Sequence, residues 1–91
     1  MFKDKVPALL QGGRNAKQNG DRAGYNALIV FEVGNSFMVI VNEMRGSELY
    51  YEHHRQKIGE QEFVQTVRDL GTRYRIHKEN YDYITSIPAE D

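Results

Sequence analysis

Four basic residues near the C-terminal end have the types and spacing to bind an anion. Residues 72–78 alternate in character, which predicts a strand with its basic side chains on one face. These basic residues are Arg73, Arg75, His77 and Lys78. Aromatic surface of the kind on which single-stranded nucleic acids stack comes from Tyr50, Tyr51, Tyr74, Tyr81 and Tyr83. The pattern is compatible with a phosphate-binding strand, and the alternative is a solvated strand face.

A second basic group lies in the stretch 12–24, GGRNAKQNGDRAG, which contains four glycines and no apolar residue larger than alanine. The stretch has three basic residues, Arg14, Lys17 and Arg22, and one acidic residue, Asp21, so its local charge is +2. Loops of this length in small domains are usually either functional or disordered. We expect a mobile loop, which either links two elements in solvent or contacts a phosphate or an acidic group.

The three histidines do not have the spacing of a metal site. His53 and His54 are neighbours, and neighbouring residues of a strand point to opposite faces. His77 and Glu52 could join one of them only if their strands were adjacent. Since the short helical or loop spacings of zinc ligands are missing, we predict no metal and no cofactor.

Other catalytic signatures are missing as well. The sequence contains no GxxxxGK[ST], GxGxxG or GxSxG motif, and it has no cysteine to act as a nucleophile. An RNA-cleaving enzyme is still conceivable, with arginines holding a phosphate and histidine or tyrosine moving protons. The net charge of −1 gives no overall attraction to nucleic acid.

The stretch Tyr25–Glu43 is the centre of the predicted fold. Two apolar runs flank Gly34-Asn35, and glycine in the first position of a two-residue loop suits a type II′ hairpin turn. Pairing outward from this turn places Val33 opposite Ser36, and every later pair follows from that register.

Both faces of this hairpin are apolar, so both need cover. The "isoleucine face" carries Tyr25, Ile29, Phe31, Met38 and Ile40. The "valine face" carries Leu28, Val30, Phe37, Val39 and Val41. We expect the main helix to pack its stripe on the isoleucine face. The valine face then meets either the N-terminal helix and the C-terminal segment or another chain, and we favour a protein interface, most simply between two copies of the chain.

Further elements follow from periodicity. Phe2, Val6, Leu9 and Leu10 predict a helix of about two turns, and residues 48–52 predict a third strand. Residues 60–71 predict an amphipathic helix with its stripe on Phe63, Val64, Val67 and Leu70 and with Gly71 as its C-cap. Residues 80–87 either extend the sheet or pack irregularly, and residues 88–91 form a frayed tail.

The sequence therefore predicts a single α+β domain over residues 1–91. It has a short N-terminal helix, an antiparallel β-meander of three to four strands, and one amphipathic helix on one sheet face. This order of elements resembles several small folds, including bacterial ribonuclease toxins and phage-encoded inhibitor proteins. The resemblance is one of element order alone, which does not imply function.

The composition favours binding over catalysis. No segment has the ~20 apolar residues of a membrane span, and the lack of cysteine fits a cytoplasmic location. We expect a small non-catalytic protein that forms a homodimer and regulates or inhibits a larger macromolecular partner. The alternative is an RNA-binding or RNA-cleaving protein that acts through the basic strand.

Overall fold

The computed structural model describes residues 2–10 and 24–84, which form a four-stranded sheet with helices on one side. The elements are α1 (Phe2–Leu9), β1 (Gly24–Val33), β2 (Ser36–Arg45), β3 (Glu48–Ile58), α2 (Glu60–Tyr74) and β4 (Tyr81–Ile84). The strand order is β3-β2-β1-β4, antiparallel except for the parallel pair β1–β4. The predicted α+β class is confirmed. Arg14, Lys17 and Arg22 lie outside the described residues, as does the tail 88–91.

The β1–β2 hairpin has the predicted register along its whole length, from Val33 opposite Ser36 to Tyr25 opposite Met44. Gly34 has a φ of 62°, while Asn35 is not among the residues with positive φ. A positive φ at the first loop position alone is the type II′ pattern, in which the turn twists with the strands. The turn therefore determines which residues share a face.

The helices cover the valine face, so the expected assignment of the two faces is wrong. The five residues of the valine face are between 0 and 8% exposed and belong to one core cluster with Phe63, Val67 and Leu70 of α2. The rings of Phe37 and Phe63 are 4.7 Å apart between centroids. Leu28, Val30, Phe37, Val39 and Val41 are thus core residues, and their burial within the chain corrects their assignment to a protein interface.

The end of β3 determines which face α2 covers. The third strand is longer than the predicted residues 48–52, because it continues to Ile58. Its last residue, Ile58, pairs with Phe37 and is buried in the same core. Only Gly59 separates Ile58 from α2, and its N–H donates to Glu62 Oε1 at 3.0 Å. Because the connection is so short, α2 begins on the face to which Ile58 points.

The N-terminal helix α1 packs on the same side of the sheet as α2. Val6 and Leu10 belong to the core cluster. Gly71 lies inside α2, and a Cβ atom at this position would be 2.8 Å from Leu10 Cδ2. The glycine therefore serves close approach of the two segments and does not end the helix as predicted.

The predicted basic strand does not exist. Helix α2 continues to Tyr74, and Arg75 caps it with φ 56° and ψ 49°. The Ile76 N–H then donates to the Gly71 carbonyl at 2.9 Å, and the Ile76 side chain is fully buried. This closure is typical of a helix that ends in a left-handed residue. The apolar stripe of α2 extends by one more turn than predicted. Residues 72–78 also alternate like a strand, and this alternation led to the wrong prediction.

Strand β4 follows a 3₁₀ helix, Lys78–Asn80. The sequence left open whether residues 80–87 extend the sheet or pack irregularly, and residues 81–84 extend the sheet. Tyr81 and Tyr83 pack against the core from the valine side. The Tyr83 hydroxyl donates to Glu32 Oε2. Burial, followed by this hydrogen bond and the negative charge of Glu32, raises the pKa of Tyr83 to about 12.

The isoleucine face lies opposite the described helices. Phe31 and Ile40 are each 6% exposed, yet they are not members of the core cluster beneath α1 and α2. Ile29 and Met38 beside them are half-buried. The sheet thus has one face packed under helices and one apolar face on which no described helix packs.

Candidate protein-binding surface at the β2–β3 turn

Three consecutive residues at the start of β3 form the most exposed group of large apolar side chains in the described chain. Leu49, Tyr50 and Tyr51 are 58, 55 and 58% exposed. Single exposed hydrophobic residues are normal, but a contiguous group needs an explanation. We call these three residues the tyrosine tip.

A tight turn and a bulge position the tyrosine tip. Gly46 has a φ of 63° in the two-residue loop between Arg45 and Glu48, and its carbonyl accepts a 3.3 Å hydrogen bond from the Tyr25 hydroxyl. Leu49 lies opposite Met44 and Tyr51 lies opposite Glu43, so Tyr50 is the extra residue of a β-bulge. A bulge bends its strand and re-aims side chains.

The ring of Tyr50 is held by a cation. The Arg45 guanidinium carbon lies 3.5 Å from the ring centroid. A guanidinium over an aromatic ring is attracted by about 0.5–1 kcal/mol at an exposed site. Tyr50 therefore keeps more than half of its surface in solvent while one face of the ring has a partner.

Tyr51 is held through a histidine. A second irregularity of β3 makes His53 an extra residue, because Val41 pairs with His54 and Asn42 with Glu52. The His53 ring meets Tyr51 edge-on at 4.8 Å between centroids and lies 5.5 Å from Tyr74 at the end of α2. His53 Nε2 is 2.8 Å from Glu43 Oε1.

The end of α2 is in turn attached to the sheet. Asn26 Nδ2 donates to the Tyr74 carbonyl at 2.8 Å, which satisfies a carbonyl in the last turn of the helix. Tyr74 then contacts His53, and His53 contacts Tyr51. This chain of contacts connects the exposed tip to the helix layer.

The tip carries negative charge. Residues 43–52 contain three glutamates and one arginine, a formal charge of −2. Arg55 donates two hydrogen bonds of 2.9 Å to Glu52 and thereby lowers the pKa of this carboxyl group. These carboxylates oppose the approach of a nucleic-acid backbone, whose binding depends on neutralisation of its phosphates.

Glu43 and His53 also form the arrangement that orients an imidazole for proton transfer. A carboxylate at one ring nitrogen fixes the tautomer and leaves the other nitrogen as a possible base. Two tyrosine rings lie beside this imidazole, and among residues 2–10 and 24–84 no group of three potential metal ligands comes together. In this setting the pair acts as a support for Tyr51.

The four basic residues predicted on a strand are dispersed around the end of α2. Arg73 lies in its last turn, Arg75 is the cap, and His77 precedes the 3₁₀ helix that contains Lys78. His77 Nδ1 accepts from the Glu79 N–H at 3.3 Å. They share no strand face, so the predicted geometry for anion contact is wrong, while anion binding by these side chains stays a prediction.

A shallow cleft beside β4 has a volume of about 110 Å³. It is lined by Tyr25, Ala27, Glu79, Asn80, Tyr81 and Asp82. Pockets for small organic ligands usually measure ~300–1,000 Å³. This cleft is too small for such a ligand, so the exposed surface of the tip is the better candidate site.

The sequence contained a weak signal for this site. Leu49, Tyr50 and Tyr51 stand together in a predicted strand, but a pattern of two apolar faces does not say which side chains will find cover. The bulges at Tyr50 and His53 have no sequence signature in this chain. They bend β3 beside the tip, and β3 is an edge strand of the sheet.

Within the described residues, no helix is long and apolar enough to cross a membrane. Comparison of this chain with protein-family models, with curated proteins and with solved structures finds no match.

Proposed function

We propose that this chain is a small non-catalytic binding protein that regulates or inhibits a larger macromolecular partner by docking the tyrosine tip on it. The observation that carries the proposal is the exposure of Leu49, Tyr50 and Tyr51 on a supported turn. Tyrosine is enriched at the energetic centres of protein interfaces, because its ring buries a large area at a low entropic cost.

The supports of the tip favour binding. Arg45 lies over Tyr50, and the contacts from Tyr51 through His53 to Tyr74 restrict the second ring. Binding costs less when interface side chains are already ordered, since about 0.5–1.5 kcal/mol is lost for each rotamer-rich side chain that becomes immobile. The ordered side chains of the tip should therefore lose little entropy when a partner buries them.

The partner surface follows from the same residues. A partner surface that contacts Leu49 on the side of Met44 and Tyr51 on the side of Glu43, with basic side chains that face Glu48 and Glu43, complements the tip in shape and charge. The absence of cysteine from the sequence fits a cytoplasmic location, which we include in the proposal.

The alternative is RNA binding or RNA cleavage. It draws support from the position of Arg73, whose guanidinium carbon is 5.9 Å from the Tyr74 ring centroid. Arg75 and Lys78 follow Tyr74 closely in the sequence, and both are exposed. The end of α2 therefore has several cations close in sequence to an aromatic ring. The negative charge of the tip opposes this alternative.

Site-specific photocross-linking in the source cells tests the proposal. A benzophenone side chain replaces Tyr50 in one variant and Gln61, an exposed residue of the first turn of α2, in a matched control. We expect a light-dependent adduct with a larger polypeptide from position 50 and none from position 61. Leu49→Glu in the position-50 variant should reduce the yield of this adduct at least several-fold.

Two results contradict the proposal. An adduct at position 50 that disappears after ribonuclease treatment, together with binding of a single-stranded RNA that is lost in Arg73→Gln/Arg75→Gln, supports the RNA alternative. No specific adduct at position 50 means that the tip is not a binding surface.

A further inference from the structure

The isoleucine face is crossed by two rows of residues whose ends carry opposite charges. Strand pairing places Asp82, Ile29, Ile40 and Arg55 in one row. It places Ile84, Phe31, Met38 and Lys57 in the next row. The centre of each row is apolar, the β3 edge is basic, and the β4 edge has a carboxylate.

Two of these charges lack a partner in the described chain. Asp82 and Lys57 are exposed, and neither takes part in an ion pair among residues 2–10 and 24–84. Arg55 in the same region holds Glu52. Among the described residues, the face therefore has an unpaired cation at one edge and an unpaired anion at the other.

We propose that the isoleucine face binds the same face of a second copy of the chain. A two-fold axis between two stacked sheets, parallel to the strands, places β3 of each copy over β4 of the other. In that arrangement the two rows meet their own counterparts, so Ile29 lies over Ile40 of the second copy. Asp82 then faces Arg55 with Lys57 one row away, and the contact occurs twice.

Charge complementarity is the reason to choose a second copy over an unrelated protein. Asp82 at the β4 edge and Arg55 at the β3 edge lie at the same height along the strands, and Lys57 lies one row away at the β3 edge. A two-fold axis brings one edge onto the other without any further requirement on the sequence. An unrelated partner would have to supply the reverse pattern independently.

The size of the face sets the expected affinity. Four strands about 4.8 Å apart make a face roughly 15–20 Å wide, which is small for a stable dimer interface. Phe31 and Ile40 are already nearly buried within the chain, so the new apolar contact comes mainly from Ile29, Met38 and Ile84. We expect a dissociation constant on the order of 1–100 μM.

The first experiment is sedimentation velocity of the full chain from 1 to 500 μM, for the wild type and three variants. We expect the wild type to dimerise reversibly. Asp82→Lys should raise the dissociation constant about tenfold or more, because two like-charged contacts replace two attractive ones. Lys57→Glu should raise the dissociation constant by a smaller factor, since Arg55 still faces Asp82. We leave Arg55 unchanged because it binds Glu52 within the chain.

The control variant is Asp69→Lys, which makes the same charge change at an exposed position of α2. It should dimerise like the wild type. Circular dichroism and thermal unfolding of each variant establish that the fold is retained.

The second experiment mixes the two weakened variants. In a dimer of Asp82→Lys with Lys57→Glu, the new lysine has the new glutamate one row away, and the native contacts of Asp82 are present at the other end. We therefore expect the mixture to associate more tightly than Asp82→Lys alone.

Three results overturn the proposal. These are a wild type that is monomeric at 500 μM, an Asp82→Lys variant that dimerises like Asp69→Lys, and a mixture that shows no recovery. The tyrosine tip is not part of these rows, so none of these results affects the cross-linking experiment at position 50.

Discussion

The two faces of the β1–β2 hairpin are similar in sequence and different in structure. Leu28, Val30, Val39 and Val41 of the valine face are fully buried beneath α1 and α2. The isoleucine face is equally apolar at its centre, but Ile29 and Met38 remain half-buried and no described helix packs on it. Apolar alternation thus identifies residues that need cover without saying what covers them.

The flanks of the two faces differ more than their centres. The valine face is bordered by Tyr81, Tyr83 and Ile58, which add apolar contact around the core. The isoleucine face is bordered by Arg55 and Lys57 on β3 and by Asp82 and Ile84 on β4, so three of these four residues are charged. An apolar border extends a core, whereas a charged border resembles the polar rim of an interface. The edge strands therefore distinguish the two faces better than the central strands do.

The largest effect is expected from aspartate at two neighbouring positions of β2. Val39→Asp places an unpaired charge in the core and should cost about 4 kcal/mol of unfolding free energy or more. Met38→Asp places the same group on the isoleucine face and should cost less than about 1.5 kcal/mol of unfolding free energy. Position 38 is partly exposed and lies opposite Lys57, so the carboxylate stays hydrated or close to a cation.

Urea denaturation at a concentration where the chain is monomeric measures both variants. Equal losses at the two positions would remove the distinction between the faces.

The next effect concerns the helix that covers the valine face. Phe63 is fully buried against Phe37, so Phe63→Ala should lower the unfolding free energy by about 3–5 kcal/mol. Ile84→Ala on the isoleucine face is the comparison, and its exposed side chain should cost less than about 1 kcal/mol. A loss below about 1 kcal/mol for Phe63→Ala in reversible urea unfolding would mean that α2 does not form the core described here.

The smallest effect concerns the polar flank of the valine face, where Tyr83 donates to Glu32. Folding raises the pKa of Tyr83 to about 12 from its ordinary value of 10. The protonated hydroxyl is therefore favoured by folding, and its stabilisation is fully present below pH 10 and is lost as the pH rises toward 12.

Tyr83→Phe tests this dependence and should cost about 1 kcal/mol at neutral pH. The difference in unfolding free energy between wild type and variant should shrink between pH 10 and pH 12. A difference that stays constant over this range would show that the hydroxyl does not titrate with folding.

Several features of this fold could be predicted from short stretches of the sequence. Gly34-Asn35 between two β-branched runs determined the turn and hence the register of all ten residue pairs, because a two-residue loop leaves no freedom in pairing. The stripe of α2 was also predictable, since Phe63, Val67 and Leu70 repeat with the period of a helix. The class of fold followed from these two patterns.

The end of α2 was predicted wrongly because two local signals conflicted. Gly71 is a common helix terminator, and residues 72–76 alternate like a strand. In the structure Gly71 is needed for the close approach of Leu10, a contact between segments 61 residues apart in the chain. A glycine that serves packing cannot be told from one that serves a turn without knowing its neighbour.

By itself, the sequence determined which residues share a face, because alternation and turn geometry act over a few residues. Only the tertiary structure decided which face is the core. That choice depended on Ile58, which ends β3 on the valine side, and on a single residue, Gly59, that leads into α2. The exposure of the tyrosine tip was likewise a result of tertiary structure, since β3 is an edge strand of the sheet. Period-two alternation is symmetric between the two faces of a sheet, so only a connection outside the hairpin can break the symmetry.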